Sequence, residues 1–241
     1  MVGLPALDQS PLLYSDIPRH FYRACRIGAC KAIEELFVLT NLNAGRILEE
    51  LSSVGATSTR LLTEDFRLAL LEEAQGYAYQ PEDAIVGSGD RVVGQQVSSF
   101  GDFQEDSGYV LLKNSFQDLL EQRLAELETY PLEMALNFNS MVLQRYEEGT
   151  LSITPHKDGL SYINLVCVVV IGGWGRFYVC SDRSGKDAIE IDASPGNVIL
   201  MRAPGFLGSE DERPFHYVTG IRETRYTFGL RQKELGRYAP P

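Results

Sequence analysis

Cysteine, histidine and long apolar runs are all scarce in this sequence, with four cysteines and three histidines among 241 residues. The cysteines form no CxxC pair, and Cys167 and Cys180 lie in apolar strand-like runs, where we expect buried thiols. No apolar run approaches the roughly 20 residues of a membrane span. The N-terminal residues have no basic stretch ahead of an apolar segment, so we expect no secretory signal. Together these scarcities favour a cytoplasmic protein with no membrane partner.

Basic residues are also in deficit, since 22 Lys and Arg face 33 Asp and Glu for a net charge of −11. Residues 1–130 carry 20 acidic and 10 basic side chains, whereas residues 131–241 carry 13 and 12. An acidic protein repels phosphate backbones at long range, which counts against a general nucleic-acid binder. A local basic cleft in the nearly neutral second half is not excluded. The 44% of hydrophobic residues is typical of a globular protein.

Helical spacing of apolar residues predicts that residues 1–130 are mainly helical. The predicted helices cover 29–40 (with 35–40 as a possible strand), 44–52 with Asn43 as N-cap, a segment that begins at Thr63, and 115–128. Residues 82–108 are rich in Gly, Ser and Asp and too long for a structureless connection. We interpret them as hairpins or a functional lid.

From residue 135 onward, short apolar runs alternate with turn residues. The predicted strands are 135–146, 162–171, 175–180, 188–191, 197–202, 216–220 and 225–231, with a turn at 172–175. Short strands with regular turns indicate an antiparallel sandwich or barrel. Helices first and strands later predict an α+β fold, with the helices packed on one face of a β-sandwich.

The strand-rich half contains a His-x-Asp pair, His156 and Asp158. Residues two apart on an extended segment point to the same face, so an imidazole nitrogen and a carboxylate oxygen could bind one metal ion. Alone this is a weak signal, because a surface turn can carry it by chance. His216 on a distant strand would complete a facial set of three, which holds Fe(II) and leaves three positions open for a co-substrate and O₂. We expect the third histidine, His20, to be a surface or packing residue.

Two arginines, Arg225 and Arg231, lie six residues apart on the last predicted strand and therefore on one face of it. Two guanidinium groups directed into a barrel would be costly without partners. A bound dicarboxylate would remove that cost, because guanidinium pairs with carboxylate in a two-pronged geometry. The alternative is a solvated strand face on which both arginines pair with glutamates.

In this order, His156-x-Asp158, His216 and Arg225-x₅-Arg231 resemble the non-haem Fe(II)/2-oxoglutarate-dependent dioxygenases. Within that superfamily, residues 225–232 are most similar to the alkylation-repair (AlkB-like) branch. The upstream strand of that branch ends in Asn-x-Tyr-x-x-Gly, and here residues 144–149 read Gln-Arg-Tyr-Glu-Glu-Gly, with Gln in place of Asn. The resemblance covers roughly residues 135–232.

The resemblance implies a double-stranded β-helix (jelly-roll) core at 135–232, braced by the N-terminal helices in a single catalytic domain, 1–241. It implies that Fe(II) is held by the His-x-Asp pair and the distal histidine, and that 2-oxoglutarate and O₂ are co-substrates. It also implies that Arg231 neutralises the metal-proximal carboxylate or fixes a metal ligand. The implied contacts to 2-oxoglutarate come from Arg225, Tyr146, Gln144 and Thr227.

Several substrate classes fit this chemistry, and we expect hydroxylation of a C–H bond in a small molecule or free amino acid, since the chain is acidic. The first alternative is oxidative demethylation of alkylated nucleic-acid bases, which requires a basic groove. Against it, residues 82–108 contain Arg91 as their single basic residue beside six acidic ones. A protein hydroxylase is a lesser alternative. The non-enzyme alternative is a β-sandwich binding module that binds neither Fe(II) nor 2-oxoglutarate tightly.

Overall fold

The computed structural model describes residues 29–234. His20 lies outside the described residues, as do the N-terminal residues from which we expect no secretory signal. The cytoplasmic location stays a prediction. The helices are α1 (Ala29–Leu36), α2 (Ala44–Ser53), α3 (Glu64–Gln75) and α4 (Gly108–Ala125). The strands are β1 (Ala56–Arg60), β2 (Gln80–Pro81), β3 (Ile85–Val86), β4 (Val93–Gly94), β5 (Ser98–Phe100), β6 (Ser140–Tyr146), β7 (Ile153–His156), β8 (Tyr162–Cys180), β9 (Ile189–Ile191), β10 (Asn197–Arg202) and β11 (Phe215–Lys233). Across 29–234, no helix has both the length and the apolar character that a membrane crossing demands.

Side-chain caps determine where three of the helices begin. Asn43 Oδ1 accepts from the Arg46 amide at 3.0 Å, and Thr63 Oγ1 caps α3, so both predicted starts are confirmed. The predicted start at 115 was wrong, because Ser107 Oγ accepts from the Val110 amide at 3.2 Å and α4 begins eight residues after the β5 strand. The extra N-terminal turns of α4 bury Tyr109 against the sheet. The possible strand at 35–40 was also wrong, since α1 runs through Leu36.

The strands form two antiparallel layers, because β8 and β11 are 19 residues long and pass from one layer to the other. The major sheet has the order β1, β10, β8, β11, β6, β5, β2 and uses residues 162–171 of β8 and 225–233 of β11. The minor sheet has the order β9, β8, β11, β7 and uses residues 176–180 and 215–219 of the long strands. The predicted turn at 172–175 was wrong. The β8–β11 pairing continues across these residues with register shifts. The predicted strands 162–171 and 175–180 are therefore one bent strand, β8, and the predicted strands 216–220 and 225–231 are one bent strand, β11.

Strict alternation along the strands separates two cores. On β8, Leu165 and Val169 pack against the helices, whereas Val166 and Val170 face the space between the two sheets. The same alternation directs Phe228 of β11 towards the helices. It therefore directs the neighbouring odd-numbered positions of β11 into the inter-sheet space. The predicted α+β jelly roll, with helices on the outer face of one sheet, is confirmed.

Residues 82–108 contain the β3–β4 hairpin, which lies beside β7, and the β5 strand of the major sheet. The Gly94 amide donates to Thr154 Oγ1 at 3.0 Å, and the Gln96 amide donates to the Ser152 carbonyl at 2.7 Å. The interpretation of this segment as hairpins is confirmed. Its role as a lid stays a prediction.

One buried polar side chain, Asn164, joins three parts of the fold at the bulge between β8 and β11. Its amide nitrogen donates to the Met134 carbonyl at 3.1 Å and to Gln232 Oε1 at 2.9 Å. Its side-chain oxygen accepts from the Glu133 amide at 3.2 Å. The backbone of Asn164 is left-handed, with φ 63°, a conformation that Asn tolerates better than most residues.

We expect Asn164→Ala to lower the free energy of unfolding by about 2–4 kcal/mol, because it removes three hydrogen bonds, one of them fully buried, and adds strain at positive φ. Asn164→Gly should cost less, since glycine adopts positive φ freely. The matched control is Asn139→Ala at an exposed position. It removes two hydrogen bonds to the main chain of Lys233 and should cost about 1 kcal/mol or less. Urea denaturation measures all three. Equal losses for the two alanine variants would contradict the assigned role of Asn164.

Candidate active site

The two histidines of the predicted site are direct neighbours across the minor sheet, since His216 of β11 pairs with His156 of β7. Their ring centroids are 4.3 Å apart. In each ring Nδ1 faces a backbone carbonyl, Thr154 at 3.0 Å and Pro214 at 3.4 Å, so we assign the proton to Nδ1 and the free lone pair to Nε2. Burial lowers the pKa of both imidazoles, that of His216 to about 3. Both rings are therefore neutral, the form that binds a metal ion.

Asp158 lies two residues beyond β7, with its side chain mostly buried beside both rings. Its Oδ1 accepts from Arg231 Nε at 3.1 Å, and its Oδ2 lies 3.5 Å from His216 Nε2. Burial alone would raise the pKa of this carboxyl, but the charge of Arg231, followed by the two imidazoles, lowers it to about 2. Asp158 is therefore ionised across the physiological pH range.

The structure thus brings the predicted set of three side chains together. Two neutral imidazoles and one ionised carboxylate are a donor set that suits Fe(II). Within residues 29–234, however, no three His, Cys, Asp or Glu side chains are already arranged around a common metal position. In this set the Asp158 oxygens are turned towards Arg231 and His216 instead. The chemistry of the donors fits the predicted metal, and Asp158 must exchange a contact to bind it.

Arg225 is buried in the inter-sheet space, with 1% of its surface exposed. Its Nε and Nη2 atoms have no hydrogen-bond partner in the part of the chain that the structure describes. Burial lowers the pKa of the guanidinium to about 10, and the one neighbour that raises it is Tyr146, whose ring lies 5.8 Å from the guanidinium carbon. The alternative of a solvated strand face, with Arg225 paired to a glutamate, is wrong. A buried cation without a counter-charge is costly, and an anionic ligand would offset that cost.

The other predicted contact residues surround the Arg225 side chain. Tyr146 pairs with Arg225 across β6 and β11, and Gln144 pairs with Thr227 two positions along. The Tyr146 hydroxyl donates to Gln144 Oε1 at 3.4 Å. Thr227 is buried, with 1% of its surface exposed. All four side chains therefore belong to one polar region in an otherwise apolar inter-sheet core.

Arg231 occupies the other end of the same strand face and contacts the metal-ligand candidate directly. Besides its bond to Asp158, its guanidinium carbon lies 5.3 Å from the centre of the Tyr162 ring. Burial acts to lower the pKa of Arg231, but the Asp158 carboxylate outweighs this effect and raises it. Of the two roles that the resemblance implies, contact with a metal ligand is the one that the geometry contains.

Two glycines provide the space for these arginines, and neither was among the residues predicted for the site. A β-carbon on Gly175 would lie 2.9 Å from Arg225 Cδ and 2.5 Å from Ile221 Cδ1. A β-carbon on Gly229 would lie 2.7 Å from Arg231 Nη1. The available sequence signal was a glycine inside a strand pattern, which often marks a close approach.

An opening lies beside Asp158 and His216, two of the three candidate ligands. Asp158 and His216 line it on one side, and Tyr162, Met201 and Arg213 are among the residues that line the rest. Arg225 does not line this opening. A molecule in the opening would therefore reach the candidate ligands without occupying the polar region around Arg225.

No protein-family model matches the chain, and no curated protein matches it. Several solved structures do match it. A Trichoplax adhaerens prolyl hydroxylase, solved with a hypoxia-inducible-factor peptide fragment, has a TM-score of 0.59 at 12% identity, covering 91% of this chain and 94% of its own. A Phytophthora capsici prolyl 4-hydroxylase has a TM-score of 0.56 at 14% identity, covering 95% of this chain and 71% of its own. A 2OG-Fe(II) oxygenase family oxidoreductase from Burkholderia pseudomallei has a TM-score of 0.51 at 13% identity, covering 81% and 94%.

Identities this low carry information about the fold and not about the substrate. The narrower resemblance to the AlkB-like branch stays a prediction. The resemblance to the wider superfamily is confirmed at the level of the fold, and the chain has the double-stranded β-helix fold of the 2-oxoglutarate- and Fe(II)-dependent oxygenases.

Proposed function

We propose that the protein is an Fe(II)/2-oxoglutarate-dependent dioxygenase. The observation that carries this proposal is the buried, unpaired guanidinium of Arg225 in the same inter-sheet space as two neutral histidines and an ionised aspartate. A non-enzymatic β-sandwich gains nothing from such a cation, which weakens its fold. A dicarboxylate co-substrate that binds both a metal held by these three side chains and Arg225 would account for both features.

His156, Asp158 and His216 would hold Fe(II), which when bound supplies the chemistry that activates O₂. The guanidinium of Arg225, with Tyr146 beside it, would bind the far carboxylate of 2-oxoglutarate. Arg231 keeps Asp158 ionised and orients its carboxylate. The apolar inter-sheet core excludes water from the reaction. The overall reaction consumes 2-oxoglutarate, O₂ and a substrate C–H group and yields succinate, CO₂ and the hydroxylated substrate.

For the substrate we propose a small molecule or free amino acid. The net charge of −11 counts against nucleic acid, as does the acidic 82–108 segment, whose β3–β4 hairpin lies beside β7.

A protein hydroxylase is the second candidate, supported by the same hairpin. Three of its apolar side chains are exposed, namely Ile85, at 69% of its surface, Val86 and Val92. The hairpin lies beside β7, the strand that carries His156. Exposed apolar side chains near a site favour a macromolecular partner. Succinate release in separate screens with metabolites and with peptides distinguishes the two candidates.

Anaerobic titration with Fe(II) and then 2-oxoglutarate tests the proposal directly. Chelation of the metal by the 2-oxo acid should produce a weak visible charge-transfer band. His216→Ala should abolish the band because it removes a metal ligand. Arg225→Met should weaken 2-oxoglutarate affinity by about 100-fold or more while metal affinity is retained, since a buried charged pair is lost. A wild-type protein that binds neither ligand would exclude the oxygenase.

Substitution of the two arginines by methionine should shift stability in opposite directions. In a buffer free of carboxylates and phosphate, Arg225→Met should raise the free energy of unfolding by about 1–3 kcal/mol, because it removes an unpaired buried charge. Arg231→Met should lower it by about 3 kcal/mol, because Asp158 loses its cation. Urea denaturation measures both variants. Destabilisation by Arg225→Met would mean that its guanidinium has a structural partner and is not held for a ligand.

Gly175→Ala should weaken 2-oxoglutarate binding by at least about 10-fold and leave metal binding unchanged, because the new methyl group displaces Arg225 and not the histidines. Gly101→Ala is the matched control, since the nearest atom to its added β-carbon, Met141 O, is 3.9 Å away. Isothermal titration with Mn(II) in place of Fe(II) separates the two affinities. Equal 2-oxoglutarate affinity in both variants would show that Gly175 does not provide space for Arg225.

A further inference from the structure

We propose that Arg213 is a positioning residue for the metal site, which fixes the backbone of Asp158 relative to His216. This inference rests on the proposed function, because it assigns Arg213 a role towards the proposed metal ligands. Arg213 itself touches neither imidazole ring in any recorded hydrogen bond or ion pair within residues 29–234. Arg213 acts through the main chain of Asp158. It also lies three residues before His216 in the sequence.

The guanidinium of Arg213 is held from two directions. Its Nη1 donates to the main-chain carbonyl of Asp158. Its Nε and Nη2 donate to the two carboxylate oxygens of Asp211 at 2.7 and 2.8 Å, a two-pronged pair. The side chain of Arg213 is 12% exposed and that of Asp211 is 37% exposed, so the bond to the Asp158 carbonyl is the more buried of the two contacts. A fork held at both ends by charge-assisted bonds has little freedom, so it can locate the carbonyl that it contacts.

Asp158 needs such a support because the β-ladder does not provide one. The strand β7 ends at His156, and residues 157–160 have no strand pairing. The Asp158 carboxylate contacts Arg231 and His216, and these are the contacts that metal binding must rearrange. The carbonyl bond to Arg213 does not involve the carboxylate. It can therefore hold the residue in place while the carboxylate exchanges partners.

The same segment also orients the second ligand. Arg213 is followed by Pro214, whose carbonyl accepts from His216 Nδ1 at 3.4 Å and so sets the ring orientation. Proline fixes φ near −65°, which makes the link from Arg213 to His216 short and stiff. One three-residue segment thus connects the Asp158 main chain to the ring of His216.

Arg213 could also serve only to anchor the loop before β11. Arg202 already anchors that loop and allows the two roles to be compared. Its Nε donates to the Glu212 carbonyl at 2.7 Å, and its Nη1 donates to the carbonyls of Leu51 at 3.0 Å and Ser52 at 2.7 Å. Arg202 therefore ties the loop before β11 to β10 and α2 without a recorded contact to Asp158. It is the matched control for Arg213, an arginine that anchors the same loop by carbonyl bonds.

The test measures Mn(II) affinity of the full chain from the electron paramagnetic resonance signal of the free ion, together with the melting temperature of the metal-free protein. We expect Arg213→Met to weaken Mn(II) binding by about 10–100-fold, the usual effect of removing a group that orients a metal ligand. Arg202→Met should lower the melting temperature and leave Mn(II) affinity within about twofold of wild type. Arg213→Lys should restore part of the affinity, because an ammonium can donate to the carbonyl but lacks the fork.

Each outcome decides between the roles. Wild-type Mn(II) affinity in Arg213→Met would overturn the inference while the proposed function stands. An equal loss in Arg213→Met and Arg202→Met would reduce Arg213 to a loop anchor and also overturn it. If Arg213→Met does not fold, Asp211→Asn replaces it, since it removes the carboxylate charge and leaves one side-chain oxygen to accept from Arg213, and it should cost several-fold in Mn(II) affinity. A wild-type chain that binds no Mn(II) would overturn the proposed function, and this inference with it.

Discussion

The register of β11 is the constraint on which the candidate site depends. This one strand passes through both sheets, so that its first half places His216 opposite His156 and its second half places Arg225 opposite Tyr146. Because side chains alternate with period two, a slip by one residue would turn Arg225 and Arg231 out of the inter-sheet space and Phe228 into it. The core that packs Phe228 against the helices therefore stabilises the register that brings the charged groups inside.

The inter-sheet space combines charges in two different ways. Asp158 and Arg231 compensate one another, and their pKa values move apart so that both stay ionised. Among the residues that the structure describes, Arg225 has no such partner, and burial lowers its pKa instead. A protein selected for stability alone would replace it by an apolar residue of similar volume. The surrounding fold supports this unfavourable group, as Gly175 leaves room for its side chain. Such a cost is expected at a functional site.

The sequence predicted the parts of the fold that depend on periodicity and on end signals. The order of ligands and arginines, the caps at Asn43 and Thr63 and the β-rich second half all follow from local rules. It did not predict that 162–180 is one strand, because glycines at 172, 173 and 175 have the signature of a turn, whereas pairing with β11 continues across them. Nor did it predict β1, whose polar residues 56–60 become a strand through pairing with β10. Tertiary pairing overrides local preference in both cases.

The same distinction separates the site residues that could be predicted from those that could not. A metal ligand or a buried arginine is visible because its side-chain chemistry is unusual for its position in a strand pattern. Arg213 lies in an acidic loop beside Asp211 and Glu212, where an arginine is not unusual. The sequence therefore predicts only a solvated charge at this position. Net charge is similarly uninformative about the site. Screening limits the reach of surface charges to about 8–10 Å, so an acidic exterior does not determine which ion the interior accepts. The local balance of charge determines which ion the interior accepts. Among the described residues the buried positive charge of Arg225 lacks a partner, so the interior of this acidic protein favours an anion.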